Sequence, residues 1–251
     1  MRTAGRPSCI GPFLVVIALL LLAPLSSSAQ TPYFRLDPSD DASFETPSGS
    51  TLSRDVTVDE TLVTGVVATR IENEETEIGG SSQTYWNYWT FADGQLFLHG
   101  FWRPVEGFGR VYDPPLLWID ADPSVGAAWQ SEVQALDFVT GDATSQARLD
   151  VTVTAAETID VPAGTFDVLL FEYVDQQVIK GGFDVFGRRT GLVRQTEPSL
   201  PLAFREWRAA ETGLVRTAFG ADAESDWFEL VGGTVDGAVR SWGSVKSGYV
   251  D

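Results

Sequence analysis

The stretch ARLDVTVTAAETIDVPAGTFDVLLFEYV, residues 147–174, restricts the fold more than any other part of this chain. Leu149, Val151 and Val153 alternate with Asp150, Thr152 and Thr154. A period of two puts apolar side chains on one face of an extended strand and polar ones on the other. The apolar run then meets Pro162-Ala163-Gly164. Pro162 suits the first central position of a tight turn, Ala163 the second, and Gly164 a backbone conformation with positive φ. The spacing predicts a hairpin that folds one apolar run into two antiparallel strands. Val168 to Phe171 is apolar on both faces, so the second strand is expected to be covered on both sides.

The same grammar recurs along the chain. Val56 and Val58 alternate with polar neighbours, Gly79-Gly80 turns the chain, and Asp93-Gly94 is a two-residue hairpin signal between WTFA and QLFLHGFW. AWQSEVQALDF, LAFREWRAAE and SDWFELVGG read as further strands, and Thr-Gly-Leu-Val-Arg occurs at both 190–194 and 212–216. Asp113-Pro114-Pro115 is expected to interrupt regular structure, because two successive residues there lack an amide donor. No long helical apolar stripe is present. The reading is all-β: a large curved antiparallel sheet, a half-barrel or open barrel with little helix.

The N-terminus reads as a leader. Arg2 and Arg6 precede an apolar run from Ile10 to Leu22, followed by Ser27-Ser28-Ala29. We therefore expect residues 1–29 to be a cleaved signal peptide, 30–50 an irregular arm pinned by Tyr33 and Phe34, and 51–251 a single β domain. Export to the periplasm or beyond follows. The chain has 17 Lys+Arg and 35 Asp+Glu, so losing Arg2 and Arg6 leaves 15 basic residues and a net charge of −20. Such a surface repels nucleic acid and anionic lipid, since binding either rests on basic side chains. Cys9 is the only cysteine. The mature chain then has no disulfide, thiolate nucleophile or cysteine metal ligand, and no stable membrane span.

Chemistry-bearing residues are sparse. His99 is the single histidine, no Gly-x-Ser-x-Gly elbow accompanies it, and its apolar neighbours suit a structural histidine. Asp120 and Asp122, two residues apart, are the candidate carboxylates for a hard cation or a hydrolytic pair, with Glu72, Glu74 and Glu77 as a second cluster. No catalytic residue and no cofactor is assigned. Aromatic residues are the richest feature: TYWNYWTF puts rings on both faces of one strand. Rings on one face pack inward, whereas the other face is covered, binds an apolar ligand or stacks on sugar rings. Trp86, Trp89, Trp102 and Trp118 are the candidate binding residues.

The order YDPPLLWIDADPSVGAAW (112–129), VTAAETIDVPAGTFDVLLFEY (153–173) and GRRTGLVRQ (187–195), with WTFADGQLFLHGF (89–101) before it, resembles bacterial secreted proteins of the TapB-like family. That resemblance spans about residues 85–195 and implies a curved sheet similar to lipoprotein carriers, with no agreed activity and no catalytic residues. The first functional expectation is an exported, non-enzymatic protein holding a hydrophobic or amphipathic ligand, such as a lipid-like small molecule, on a concave aromatic face. Two alternatives stand beside it: a secreted glycan hydrolase using paired carboxylates, and an outer-membrane β-barrel.

Overall fold

The computed structural model describes residues 33, 34, 36, 41–176, 202–219, 227–235, 238 and 239. The expected leader, the copy of Thr-Gly-Leu-Val-Arg at 190–194 and the tail from 240 lie outside them. Thirteen strands follow one another within the described residues. They are β1 (Asp41–Glu45), β2 (Thr51–Thr61), β3 (Val67–Thr76), β4 (Ser82–Ala92), β5 (Gln95–Arg103), β6 (Phe108–Ile119) and β7 (Ala128–Asp137). After them come β8 (Ala143–Val161), β9 (Gly164–Asp175), β10 (Leu202–Ala209), β11 (Gly213–Phe219), β12 (Trp227–Val235) and β13 (Ala238–Val239).

Each strand pairs with the next, all antiparallel, and β1 also pairs with β12. That last ladder closes β1 to β12 into a barrel and leaves β13 as a short addition on β12. The chain is all-β and antiparallel, with its curvature carried to closure. Among the described residues, closure pairs β1 and β12 with each other, so neither is left as an open sheet edge. β1 lies within the segment expected to be an arm. Phe44 there stands opposite Leu52 on one side and Leu230 on the other, and the burial of that ring ties the strand down. Upstream of β1, Phe34 and Leu36 are buried in the main core, and Tyr33 packs on it.

The predicted hairpins form. Val161 pairs with Gly164 across Pro162-Ala163, and Gly164 has a φ of +141°. Asp93 and Gly94, with φ of 52° and 80°, make the two-residue β4–β5 turn that needs positive φ at both positions. The β8–β9 ribbon shifts register between Val153 and Ala155, and its tip reaches β12, where the Ala163 amide donates to the Leu230 carbonyl at 3.0 Å. Leu169 and Phe171 belong to the main core and Val168 and Leu170 to a second cluster, so this strand is covered on both faces.

One expectation is corrected. Strand β6 runs straight through Asp113-Pro114-Pro115, with a cis bond at Asp113-Pro114. Two breaks in the ladders make this possible. On the β5 side, Gly100 pairs with Val111 and Leu98 with Leu116, so residues 112–115 bulge opposite His99 alone. On the β7 side, backbone pairing ends at Asp113–Gln134. Beyond it, Ser131 Oγ accepts from the Leu117 amide at 3.0 Å and Trp129 Nε1 donates to the Leu117 carbonyl at 3.2 Å. The missing proline donors fall where no ladder asks for them. Gly100 (φ +151°) completes the bulge, because a Cβ there would run into the Arg110 carbonyl.

Candidate functional site

Alternation sorts the aromatic residues onto two faces. On β4, Tyr85, Trp89 and Phe91 join the main core, whereas Trp86 and Tyr88 belong to a separate outer cluster. The interior rings meet from strands far apart in the sheet. Trp89 lies edge-on to Trp118 of β6 at 5.5 Å, Trp118 stacks on Tyr173 of β9 at 4.5 Å, and Tyr173 stacks on Phe204 of β10 at 4.7 Å. Rings on β6 and β10 can touch only across the barrel interior. Phe34 fills the remaining gap, 5.1 Å from Trp89 and 6.1 Å from Phe91. The four candidate tryptophans therefore do not line one groove. Trp89 and Trp118 are 1% and 0% exposed, and the concavity they border is filled by the chain itself.

Trp86 and Trp102 face the other way. They stand directly opposite each other on β4 and β5, both half-buried. Phe138, beyond the end of β7, lies 4.9 Å from Trp102 and 5.2 Å from Tyr88. The Arg70 guanidinium sits 4.3 Å over the Trp86 ring and is held by Glu72 at 2.8 Å and Glu60 at 3.2 Å. A cation on an indole face adds to such a patch and fixes its polar rim. Tyr88 donates its hydroxyl to Glu60 at 3.3 Å; burial and that carboxylate push its pKa up. The outer patch is small, aromatic and edged with charge.

The interior also holds a polar group that the sequence reading did not single out. Glu206 and Arg208, two apart on β10, share the inward face with Phe204. Arg208 binds Glu206 through Nε and Nη2, each at 2.8 Å, and both side chains are almost wholly buried. Trp118 Nε1 donates to the same Glu206 oxygen at 3.3 Å. The buried Tyr173 hydroxyl feels both charges without hydrogen-bond geometry to either, and burial raises its pKa well above the usual phenol range. Arg54 enters from β2, its guanidinium 5.7 Å from the Phe34 ring that Arg208 covers at 4.9 Å. Asn73 Nδ2 donates to Asn87 Oδ1 at 2.9 Å beside them. These groups surround a cavity of about 30 Å³, room for a water or two and not for an acyl chain.

The remaining candidates separate. Asp120 Oδ1 accepts from Gln95 Nε2 at 2.7 Å and from the Ala121 amide at 2.8 Å, which makes it a loop anchor, while Asp122 is exposed. Glu72 is engaged by Arg70, and among the described residues no three His, Asp or Glu gather as metal ligands. His99 occupies the β5 bulge, 4% exposed, its Nε2 2.8 Å from Thr90 Oγ1. Burial lowers its pKa to about 4. Between pH 6.5 and 4 the unfolded chain then binds a proton that the folded chain refuses, so stability is complete above 6.5 and falls as the pH drops. Denaturant titrations should show His99→Gln removing a slope of up to about 1.4 kcal/mol per pH unit across that window. Parallel curves for the two proteins would show that folding leaves the His99 pKa unshifted.

No protein-family model matches this sequence, and no curated protein matches it. Two solved structures share its general shape. One is described as an exported protein with a YmcC-like fold from Bacteroides fragilis NCTC 9343, at 13% identity and a TM-score of 0.48, over 80% of this chain and 98% of that one. The other is described as a lipoprotein from Parabacteroides distasonis ATCC 8503, at 15% identity and a TM-score of 0.45, over 82% and 99%. The TapB-like resemblance is thus one of motifs, with no family model behind it.

Proposed function

We propose that this is an exported, non-catalytic β-barrel that binds an amphipathic ligand on its outer face at Trp86 and Trp102. The leader supports export. The observation that carries the site is the split of the rings: those of Trp89 and Trp118 are consumed by the core, and the Trp86–Trp102 pair stays only partly buried beside Arg70. A ligand with an apolar face and hydroxyl groups fits this edge, with its flat side on the indoles and its polar side toward Arg70 and Glu72. A neutral glycan has that chemistry. An anionic headgroup is disfavoured by Glu60, Glu72 and the chain's net charge of −18.

The two alternatives receive less support. A hydrolytic pair needs two carboxylates flanking a bond, and Asp120 is committed to its own loop. A lipid-facing barrel needs an apolar outer band. Here the outward positions of β7 to β10 include Glu132, Arg148, Asp150, Glu172 and Arg205, and each cation at mid-bilayer costs about 2–4 kcal/mol. No helix among the described residues is long and apolar enough to cross a membrane.

Calorimetric titration of neutral polysaccharides should give binding that Trp86→Ala or Trp102→Ala weakens at least tenfold, with far-ultraviolet circular dichroism unchanged. Binding that survives both substitutions, or an absence of binding across the panel, would remove this reading.

A further inference from the structure

The β8–β9 ribbon outruns the sheet on both sides. β7 pairs with β8 only as far as Thr152, Val153 makes the last lateral bonds with Gly126 and Ala127, and β10 pairs with β9 only as far as Val168. From the Thr158–Asp167 pair to the turn, neither edge has a ladder neighbour among the described residues. The register shift between Val153 and Ala155 lies where the ribbon leaves β7. The free end has two unlike faces. On the exposed side, Thr158 Oγ1 donates to Asp167 and Thr165 Oγ1 to Asp160, each at 2.6 Å. On the other, Ile159 and Val161 are 8% and 9% exposed and cluster with Phe44, Leu52, Phe228 and Leu230 of the barrel.

That end covers a seam in the barrel wall. β11 begins at Gly213, yet it pairs with β12 only from Arg216–Glu229 to Ala218–Trp227. The next pair in that register, Val215 with Leu230, does not form, and the Ala163 amide donates to the Leu230 carbonyl instead, at 3.0 Å. Two more bonds hold the ribbon end. Arg216 Nη2 donates to the Asp160 carbonyl at 3.3 Å, and Trp207 Nε1 to Glu157 Oε1 at 2.6 Å. Most of the barrel wall is held by ladders on both edges, whereas this segment is held by three bonds and a few apolar side chains. We infer that residues 154–167 form a strap that swings out from the β11–β12 seam while the barrel stays folded. The cross-strand Thr–Asp bonds keep its two legs together, and the register shift after Val153 supplies the hinge. A segment with so few bonds to break opens at a lower free energy than the whole fold. Leu52 and Leu214 belong both to the cluster under the strap and to the lining of the interior cavity, so the apolar floor that opening bares runs on into the cavity wall. The strap shares no residue with the Trp86–Trp102 patch, so either reading can fail alone.

The test is amide hydrogen exchange of the full mature protein at several urea concentrations below unfolding. It compares the strap amides bonded across the ribbon with the amides shared by β4 and β5. The strap set should exchange faster by about tenfold or more, with little dependence on urea, because opening it exposes little surface. The β4–β5 set should follow the full urea slope of unfolding. Trp118→Phe weakens the barrel interior without touching the strap, so it should speed the β4–β5 set and leave the strap set unchanged. Ile159→Ala trims the underside of the strap and should speed the strap set by about tenfold. Strap amides with the rate and urea slope of the β4–β5 set would overturn the inference. Equal acceleration of both sets by Trp118→Phe would do the same, as would strap exchange indifferent to Ile159→Ala.

Discussion

Glu206→Ala is expected to destabilise the protein by about 3–5 kcal/mol, the range for removing one partner of a buried ion pair. That is a large share of the 5–15 kcal/mol typical of a whole domain. Glu206 is 4% exposed and receives Arg208 and the Trp118 indole nitrogen; without it, Arg54 and Arg208 face each other across the cavity with no carboxylate between them. Glu206→Gln keeps an acceptor for Trp118 but not the charge, and should fall between the two. Replacing both members, as Glu206→Leu with Arg208→Met, should cost much less than the sum of the single changes, because the stranded charge goes with its partner. Urea titration measures the wild type, these variants, and Glu206→Leu and Arg208→Met alone. Strictly additive losses would mean that the pair does not act as a unit.

Trp118→Ala is the second large effect, expected at about 3–5 kcal/mol from the buried volume lost. Its ring is 0% exposed and touches Trp89, Tyr173 and Phe204, so truncation leaves a cavity that a closed barrel cannot collapse around. It also strips a hydrogen-bond donor from Glu206. Trp118→Phe restores part of the ring and none of the donor, and should recover part of the loss. Trp102→Ala, by contrast, removes a half-buried ring from the outer face and should move the unfolding midpoint far less. Equal losses at 102 and 118 would contradict the assignment of these two rings to opposite faces.

The sequence made the local geometry readable. Alternation at Leu149, Val151 and Val153 identified β8, and Asp93-Gly94 and Pro162-Ala163-Gly164 marked their hairpins, because a turn's requirements are met by adjacent residues. Closure was not readable in this way. Phe44 and Leu230 are partners separated by most of the chain, and nothing beside either residue announces the other. The face of each tryptophan on β4 was within reach, since the period of two splits 85, 89 and 91 from 86 and 88. Trp86, Trp89, Trp102 and Trp118 divide between two faces in part because the bulge at His99 changes which β5 residues face inward, and a bulge cannot be seen in composition.

The interior arginines were missed for a related reason. LAFREWRAAE was read only as a strand, yet Phe204, Glu206 and Arg208 share one face of β10, and the buried phenylalanine shows which face that is. Arg54 shares its face with Leu52 on β2 in the same way, and both line the cavity. An apolar residue two positions from a charge is therefore the signal that was available. The Pro-Pro segment misled in the opposite direction: it reads as a break, but a strand whose neighbours do not need those donors tolerates it.

The most direct test of the closed barrel is a disulfide between β1 and β12. Ser43 and Gly232 are paired across that ladder, and a mature chain begun after residue 29 contains no cysteine of its own. Ser43→Cys with Gly232→Cys should oxidise to an intramolecular crosslink as readily as a control pair at Gln130 and Asp150 on β7 and β8, since directly opposed residues lie within disulfide reach. Thiols at 43 and 232 that stay free while the control pair crosslinks would show an open sheet, and the closed barrel would be wrong.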